Sequence, residues 1–286
     1  MTILVSGGTG YIGRHLVRHL IAQGETVHVL CQPDSDTTFL PAAVTIHRGI
    51  QAADLPAVLS GLRPQTCFHL ATRYQHDYGP ADIAPLLDSN LVFGTTLADA
   101  AMRSGCRSFI NAGTASQMDR DGNYAPASLY AASKQAFEDL LAYFALRRGM
   151  ACRTVLLYDT YGPQDTRGKL LMNLIASART GMRLELSPGE QEVDLLHIGD
   201  AIDGLLAAAA ATDQMARYAL SSGSPLSLRQ LASMIERIAG RAPNIAWGAR
   251  PYRDGEIMQT WKTGTPPPGW RPQRRLEDFL RAELGG

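Results

Sequence analysis

The chain has 286 residues, 45% apolar and 19% charged, with 27 basic residues balanced by 27 acidic ones. That length buries a substantial core as one large domain or two smaller ones. The zero balance supplies no long-range field, so neither nucleic acid nor an anionic membrane surface is an expected partner.

Thr2–Ser6 reads as a short apolar strand entering a glycine turn. From Ile12 the period becomes helical: Ile12, Leu16, Val17, Leu20 and Ile21 share one stripe, with Arg14, Arg18 and Gln23 opposite, and Gly24 offers a C-cap. Val27-His28-Val29-Leu30 follows as a second strand. Further strands are predicted near 67–71, 109–112 and 154–158, and helices near 84–104 and 133–147. Such alternation implies an α/β fold, a parallel sheet covered on both faces.

After Tyr161-Gly162-Pro163 short elements and turn signals replace the alternation, although 200–211 and 227–239 still read as helices. In the second of these, Leu228, Leu231, Ile235 and Ile238 form the apolar stripe. The expected organisation is a dinucleotide-binding domain over 1–160 and a mainly substrate-binding region over 161–286, with a segment of about 193–220 returning to the sheet.

Cys31, Cys67, Cys106 and Cys152 are scattered without a C-x-x-C pair, and small buried thiols in a reducing compartment are expected rather than a metal site or disulfides. No signal peptide is apparent, and the apolar stretch 205–211 is too short to span a bilayer. A cytoplasmic location is the expectation.

Gly7, Gly10 and Gly13, with Tyr11 and Ile12 between them, form G-x-x-G-x-x-G between strand one and helix one. Glycines there permit a tight turn and close approach to a pyrophosphate at a helix N-terminus. A carboxylate ending the second strand would accept from a ribose 2′-hydroxyl and repel a 2′-phosphate. Cys31-Gln32-Pro33 stands there instead, which favours NADP(H), with NAD(H) possible because Asp34 and Asp36 are close by. Arg14 and Arg48 are candidate phosphate partners or, equally, solvated surface charges.

Tyr130-Ala-Ala-Ser-Lys134 puts a phenol and an ammonium one helical turn apart on the same face. A tyrosine ordinarily titrates near 10. A nearby ammonium favours the phenolate and should bring that value toward the working range for proton transfer.

These residues, with His69-Leu70-Ala71, Asn90 before Gly94-Thr95, Thr114, Tyr161-Gly162-Pro163, Asp194-Leu195-Leu196-His197-Ile198 and Gly269-Trp270-Arg271-Pro272, resemble the extended short-chain dehydrogenase/reductase family, its NAD-dependent epimerase/dehydratase group. The resemblance covers almost the whole chain. It implies a Rossmann-type doubly wound parallel sheet with a smaller C-terminal substrate-binding region. Tyr130 would be the general acid or base, and Lys134 would hold the nicotinamide ribose. Thr114 would hydrogen-bond the reacting oxygen, and Leu70, Ala71 and Thr72 would line the cofactor. Thr72 would also reach the substrate, and Asn90 would buttress the lysine through its helix. His69 and His197 are read as packing residues.

Departures from the family pattern narrow the expectation. Ala115 and Ser116 replace the Asp-Glu pair with which family dehydratases eliminate water, and neither can move that proton. The stretch between Thr114 and Tyr130 is short, so a compact loop is expected. Gly49 precedes Ile50 rather than the aspartate of the usual adenine contact, and Val193 replaces a diphosphate-binding arginine. Arg253 matches a second family arginine, while Asp159, Arg167 and Lys169 flank the Tyr-Gly-Pro turn as further substrate candidates or surface charges.

The runs around Tyr158-Asp159 and Ser187-Pro188-Gly189 resemble 4-ketoreductases of deoxysugar pathways, the CDP-abequose synthase-like group. The expected activity is reduction of a nucleotide-diphosphate 4-keto-6-deoxyhexose. An epimerase with tightly held NAD⁺ and a non-catalytic dinucleotide-binding scaffold are the alternatives. The resemblance implies a homodimer through the tyrosine helix and the helix before it, where Leu140, Leu141 and Phe144 face either a second copy or the sheet.

Overall fold

In a computed structural model describing residues 1–75, 77–262 and 264–285, β1 (Thr2–Ser6) leads through the glycine turn into α1 (Tyr11–Ala22), β2 (Thr26–Cys31) and β3 (Thr45–Arg48). Next, α2 (Leu55–Leu62) precedes β4 (Thr66–His69), and α3 (Pro80–Leu87) runs through a π-helical turn, Asp88–Val92, into α4 (Phe93–Arg103). The first run closes with β5 (Ser108–Thr114), α5 (Leu129–Arg148) and β6 (Ala151–Leu157). Then come β7 (Asp159–Tyr161), α6 (Leu170–Thr180), β8 (Leu184–Leu186), β9 (Glu192–Val193), β10 (Leu195–His197), α7 (Ile198–Ala210) and β11 (Met215–Leu220). Last are β12 (Leu226–Ser227), α8 (Leu228–Ala239), β13 (Ile245–Trp247) and α9 (Leu276–Leu284).

The main sheet has seven parallel strands in the order β11-β6-β5-β4-β1-β2-β3. Its strands are buried on both faces, and successive side chains enter opposite cores. Ile3 and Val5 pack with α1 and α7, as do Val29, Phe68 and Ile110. Their strand neighbours Leu4, Leu30, Cys67 and Phe109 pack with α2, α4 and α5. A smaller lobe gathers its own core from Tyr161, Leu171, Leu174, Ile175, Leu231, Ile235 and Leu280. Both α7 and β11 return to the main sheet, while β9 and β10 pair with β12 and β7 in separate two-stranded sheets. The C-terminal segment is tied back to α7, where Trp270 Nε1 donates to the Asp200 carbonyl at 3.0 Å and Arg274 pairs with the buried Asp200 at 2.6 Å.

Several local expectations change. Arg14 does not lie on a solvent face of α1. It is only 4% exposed, its guanidinium stacks 4.5 Å from the Phe39 ring, and it donates to the Gln164 carbonyl. The helix predicted over 84–104 starts at Pro80, because Pro80 suits a first helical turn, and it widens at Asp88–Val92. The strand predicted over 67–71 stops at His69, since Leu70 onward turns away toward Gly7. On α5, Leu141 and Phe144 are buried against the sheet, so of the three apolar candidates for a second copy only Leu140 faces outward. Among the described residues no helix is long and apolar enough to cross a membrane.

Cys67, Cys106 and Cys152 share one core and are buried, whereas Cys31 is half-buried at the end of β2. Burial pushes the thiols of Cys106 and Cys152 up, to about 11 and about 12. An aromatic disulfide reagent at neutral pH should therefore titrate one thiol promptly in the native protein and four after denaturation. Four fast native thiols would contradict this packing.

Candidate active site

The end of β1 meets the start of α1 at Gly7–Gly13, beside the end of β4. Gly7 has φ +73°, and a Cβ there would fall 2.6 Å from the amide nitrogen of Ala71. A Cβ on Gly13 would lie 2.1 Å from the Gly7 carbonyl oxygen. Only glycine permits this approach, which packs α1 against the loop after β4. Gly10 caps α1 without a side chain, which leaves the helix N-terminus to an outside acceptor. The surrounding cavity, about 440 Å³, is lined by Gly7, Gly10, Tyr11, Ile12, Gly13, Leu70 and Thr72 on this side. Bare helix N–H groups, a glycine turn and adjoining apolar walls fit a dinucleotide pyrophosphate and its nicotinamide half.

Of the other cofactor candidates, Ala71 supports the turn from behind, and Cys31, Arg48 and Asn90 lie outside the cavity lining. Arg48 donates to the Ser35 carbonyl at 2.9 Å and to Thr37 Oγ1 at 2.6 Å, clamping the loop after β2. In that loop, Asp36 accepts from the amide and hydroxyl of Thr38 at 2.9 and 2.7 Å.

Ser128 caps α5 by accepting from the Ala131 amide at 3.2 Å, so the helix enters the cavity wall with Tyr130 in its first turn and Lys134 one turn later. Both line the cavity, and so does Thr114 at the end of β5. Asn90, on the inner side of the π-helical turn, joins two of these elements. Its Oδ1 accepts from the Arg73 amide at 2.8 Å and from Thr72 Oγ1 at 3.1 Å, while its Nδ2 donates to Ser133 Oγ at 3.1 Å. Asn90 thus links the cofactor-side loop to the residue preceding Lys134. Ser133 was not singled out from the sequence; its place between Tyr130 and Lys134 was the available signal.

Electrostatically, burial raises the tyrosine, contrary to the expectation of a phenol lowered by the neighbouring ammonium. Tyr130, 8% exposed and edge-on to Tyr74 at 5.0 Å, has its phenol pushed up to about 12 by burial, with a hydrogen bond to Thr72 acting the other way. Lys134, 2% exposed, is lowered to about 8 by burial. His69 lies beneath, fully buried among Phe93, Phe109 and Phe137, with Nδ1 2.7 Å from Ser6 Oγ. Burial, then the nearby Lys134 charge, lower it to about 3, so it remains neutral. His197 accepts from the Gly199 amide at 3.0 Å and caps α7.

Thr114 Oγ1 is 2.8 Å from Ser116 Oγ, and residues 115–127 fold back as a compact loop in which the Ala127 amide donates to the Ser116 carbonyl at 3.1 Å. Across the cavity, Asp159 and Lys169 pair at 3.0 Å, and Lys169 stands over the Tyr74 ring at 5.7 Å. Arg167 is committed to the protein: its fork grips Asp165 at 2.7 Å, donates to the Thr160 carbonyl at 2.7 Å, and stacks over Tyr11 at 4.1 Å. Arg253 lines the cavity on an exposed loop, and among the described residues its guanidinium has no partner. Val193 adds an apolar side chain, and the buried Asp194 accepts from Ser221 and Ser222.

A dinucleotide cradle facing a tyrosine–lysine helix on a doubly wound sheet defines a short-chain dehydrogenase/reductase architecture. Residues 3–220 match the NAD dependent epimerase/dehydratase family, and the chain belongs to it, within the extended short-chain dehydrogenases/reductases. It is 25% identical over 262 residues to a CDP-abequose synthase of Yersinia pseudotuberculosis, covering 90% of this chain and 91% of that one. It is 26% identical over 310 residues to a UDP-glucose 4-epimerase of Mycolicibacterium smegmatis, covering 98% and 96%. Among solved structures, a UDP-glucose 4-epimerase of Thermus thermophilus in complex with NAD superposes with a TM-score of 0.85 at 22% identity, covering 100% of this chain and 98% of that one. A Thermotoga maritima UDP-glucose 4-epimerase with UDP-glucose gives 0.87 at 22%, with the same coverage.

The lowered Lys134 has a consequence for stability. The folded chain releases this proton near pH 8, the unfolded chain near 10.5, so stability from this group rises between those values and is lowest below pH 8. Lys134→Met should melt higher than the wild type at pH 7, with the gap narrowing at pH 9.5. A wild type that melts higher than the variant at pH 7 would contradict an uncompensated buried ammonium.

Proposed function

We propose that this enzyme reduces the 4-keto group of a nucleotide-diphosphate 4-keto-6-deoxyhexose with a reduced nicotinamide dinucleotide, and that Thr114, Tyr130 and Lys134 carry the chemistry. The observation that bears most weight is that all three line one cavity together with the glycine turn, with Ala115 and Ser116 where a dehydratase needs acids. The CDP-abequose synthases among its relatives support a substrate of this class.

When bound, the dinucleotide supplies the hydride for the sugar C4. The protein supplies the rest. Tyr130 gives its phenolic proton to the oxygen as the carbonyl becomes a secondary alcohol, and Thr114 donates a hydrogen bond to the same oxygen. Two donors aimed at a developing oxyanion in a dry pocket commonly make up the largest catalytic term. The raised phenol keeps Tyr130 protonated before transfer, which suits a proton donor. Lys134 holds the nicotinamide ribose, with Leu70, Ala71 and Thr72 beside it. Arg253, whose guanidinium has no protein partner among the described residues, clamps the diphosphate together with Lys169.

The absence of an acid at Cys31 supports NADP(H), and Arg48, one strand over, is the proposed 2′-phosphate partner. Arg48→Ala should weaken kcat/KM for NADPH about tenfold or more while changing that for NADH less than threefold. Equal losses with both cofactors would remove Arg48 from this role.

A second reading, epimerisation with retained NAD⁺, is favoured by one observation: the matched UDP-glucose 4-epimerases cover the chain as fully as the synthases do. Purified protein incubated with CDP- or dTDP-4-keto-6-deoxyglucose should oxidise NADPH and release a reduced sugar. Tyr130→Phe should lower that rate by about 10²–10⁴ while still binding the dinucleotide. Tightly bound NAD⁺ on purification, with epimerisation and no need for added reductant, would decide for the second reading.

A further inference from the structure

Behind Thr114 a continuous polar chain runs through the interior, and none of its other members lines the cavity. The Thr114 amide donates to Gln117 Oε1 at 2.9 Å, and Gln117 is fully buried. Its Nε2 donates to Gln135 Oε1 at 3.1 Å and to Glu138 Oε2 at 3.4 Å. Both acceptors belong to α5. Tyr130, Lys134 and Glu138 follow one another at four-residue steps, so phenol, ammonium and carboxylate share a helix face. From β11, Arg217 completes the chain, donating through Nε to Glu138 Oε1 at 2.7 Å and through an Nη to Gln135 Oε1 at 2.8 Å. Gln135 in turn donates to Asp139 at 2.8 Å, which fixes its amide so that Oε1 faces both donors.

A buried glutamine, a buried carboxylate and a guanidinium are costly to hold in a core unless each is satisfied, and here each is. What they connect is specific. One end is the backbone of Thr114; the other is the helix that carries Tyr130 and Lys134. The two hydroxyls that must converge on one substrate oxygen stand on different elements, β5 and α5, and the Gln117 amide is the direct side-chain tie between them behind the site.

We propose that Gln117 is a positioning residue that sets the Thr114 hydroxyl against the Tyr130 phenol, with Arg217 as the outer anchor that holds Glu138 and Gln135 in place. This rests on the reading of Thr114 and Tyr130 as the pair that receives the reacting oxygen. Misplacement of a catalytic group by about 1 Å costs on the order of 10²-fold in rate.

The test compares Gln117→Met, which fills the space without an acceptor, with the double exchange Gln117→Glu/Glu138→Gln, which keeps an oxygen for the Thr114 amide and an amide-to-carboxylate hydrogen bond to α5. Ketosugar kinetics, dinucleotide affinity by fluorescence, and hydrogen exchange at the Thr114 amide are read together. Gln117→Met should lose about 10- to 100-fold in kcat, with KM and dinucleotide Kd within about threefold of wild type, and its Thr114 amide should exchange about tenfold faster or more. The double exchange should stay within about fivefold of the wild-type kcat, and Arg217→Met should fall between it and Gln117→Met. A wild-type kcat in Gln117→Met, a loss carried by KM or Kd, or equal failure of Gln117→Met and the double exchange would overturn the proposal. Absence of turnover by the wild type would sink the catalytic reading alone; unchanged Thr114 exchange in Gln117→Met would sink the tie. If Gln117→Met does not fold, Arg217→Met, altered at the sheet edge, carries the same measurements, and unchanged kcat and Thr114 exchange there would overturn the anchor.

Discussion

A buried ammonium governs the centre of this structure. Lys134, on the inner face of α5, is 2% exposed, and among the described residues no carboxylate pairs with it. Burial without a partner is unfavourable for a charged group, and here it lowers the amine toward neutrality. The neighbouring His69 lies in the same dry region and is driven neutral by burial and by that charge. Most of the site follows from keeping this one group in place. Asn90 holds the preceding serine, the π-helical turn aims Asn90 inward, and the aromatic packing around His69 seals the floor.

The sheet explains why the functional groups meet. Alternate strand residues feed two cores, so the strands are rigid and their carboxyl ends open into one crevice where the order reverses between β1 and β4. Gly7, Leu70 and Thr114 stand at the ends of β1, β4 and β5. The smaller lobe, built on α6, α8 and α9, closes the other side and brings Lys169, Val193 and Arg253 to the same cavity.

The cavity is sparing with free charge on its substrate side. Arg167 is gripped by Asp165, Lys169 by Asp159, and Asp194 by two serines. Arg253, by contrast, lines the cavity with a guanidinium that has no internal partner among the described residues. Electrostatic selectivity here depends on which pairs a ligand is able to open, and tertiary pairing decides that, not composition.

Much of the fold was legible because it rests on local periodicity. The α1 stripe, the β2 run and the Leu228–Leu231–Ile235 face each follow from residue spacing, and Gly7 and Gly13 are required by sterics that hold in any turn of that shape. Tyr130 and Lys134 were legible for the same reason, since a four-residue step on a helix fixes a shared face. Spacing says nothing of how deep a helix lies. The raised phenol, the burial of Arg14 beneath Phe39, the inward turn of Leu141 and Phe144, and the line from Thr114 through Gln117 to Arg217 all join residues far apart in the chain. The sequence by itself determined which chemical groups this protein has and which lie one turn apart. Only the tertiary structure decided which are dry and which charges are already paired with one another, because burial and pairing are properties of neighbours brought together by folding.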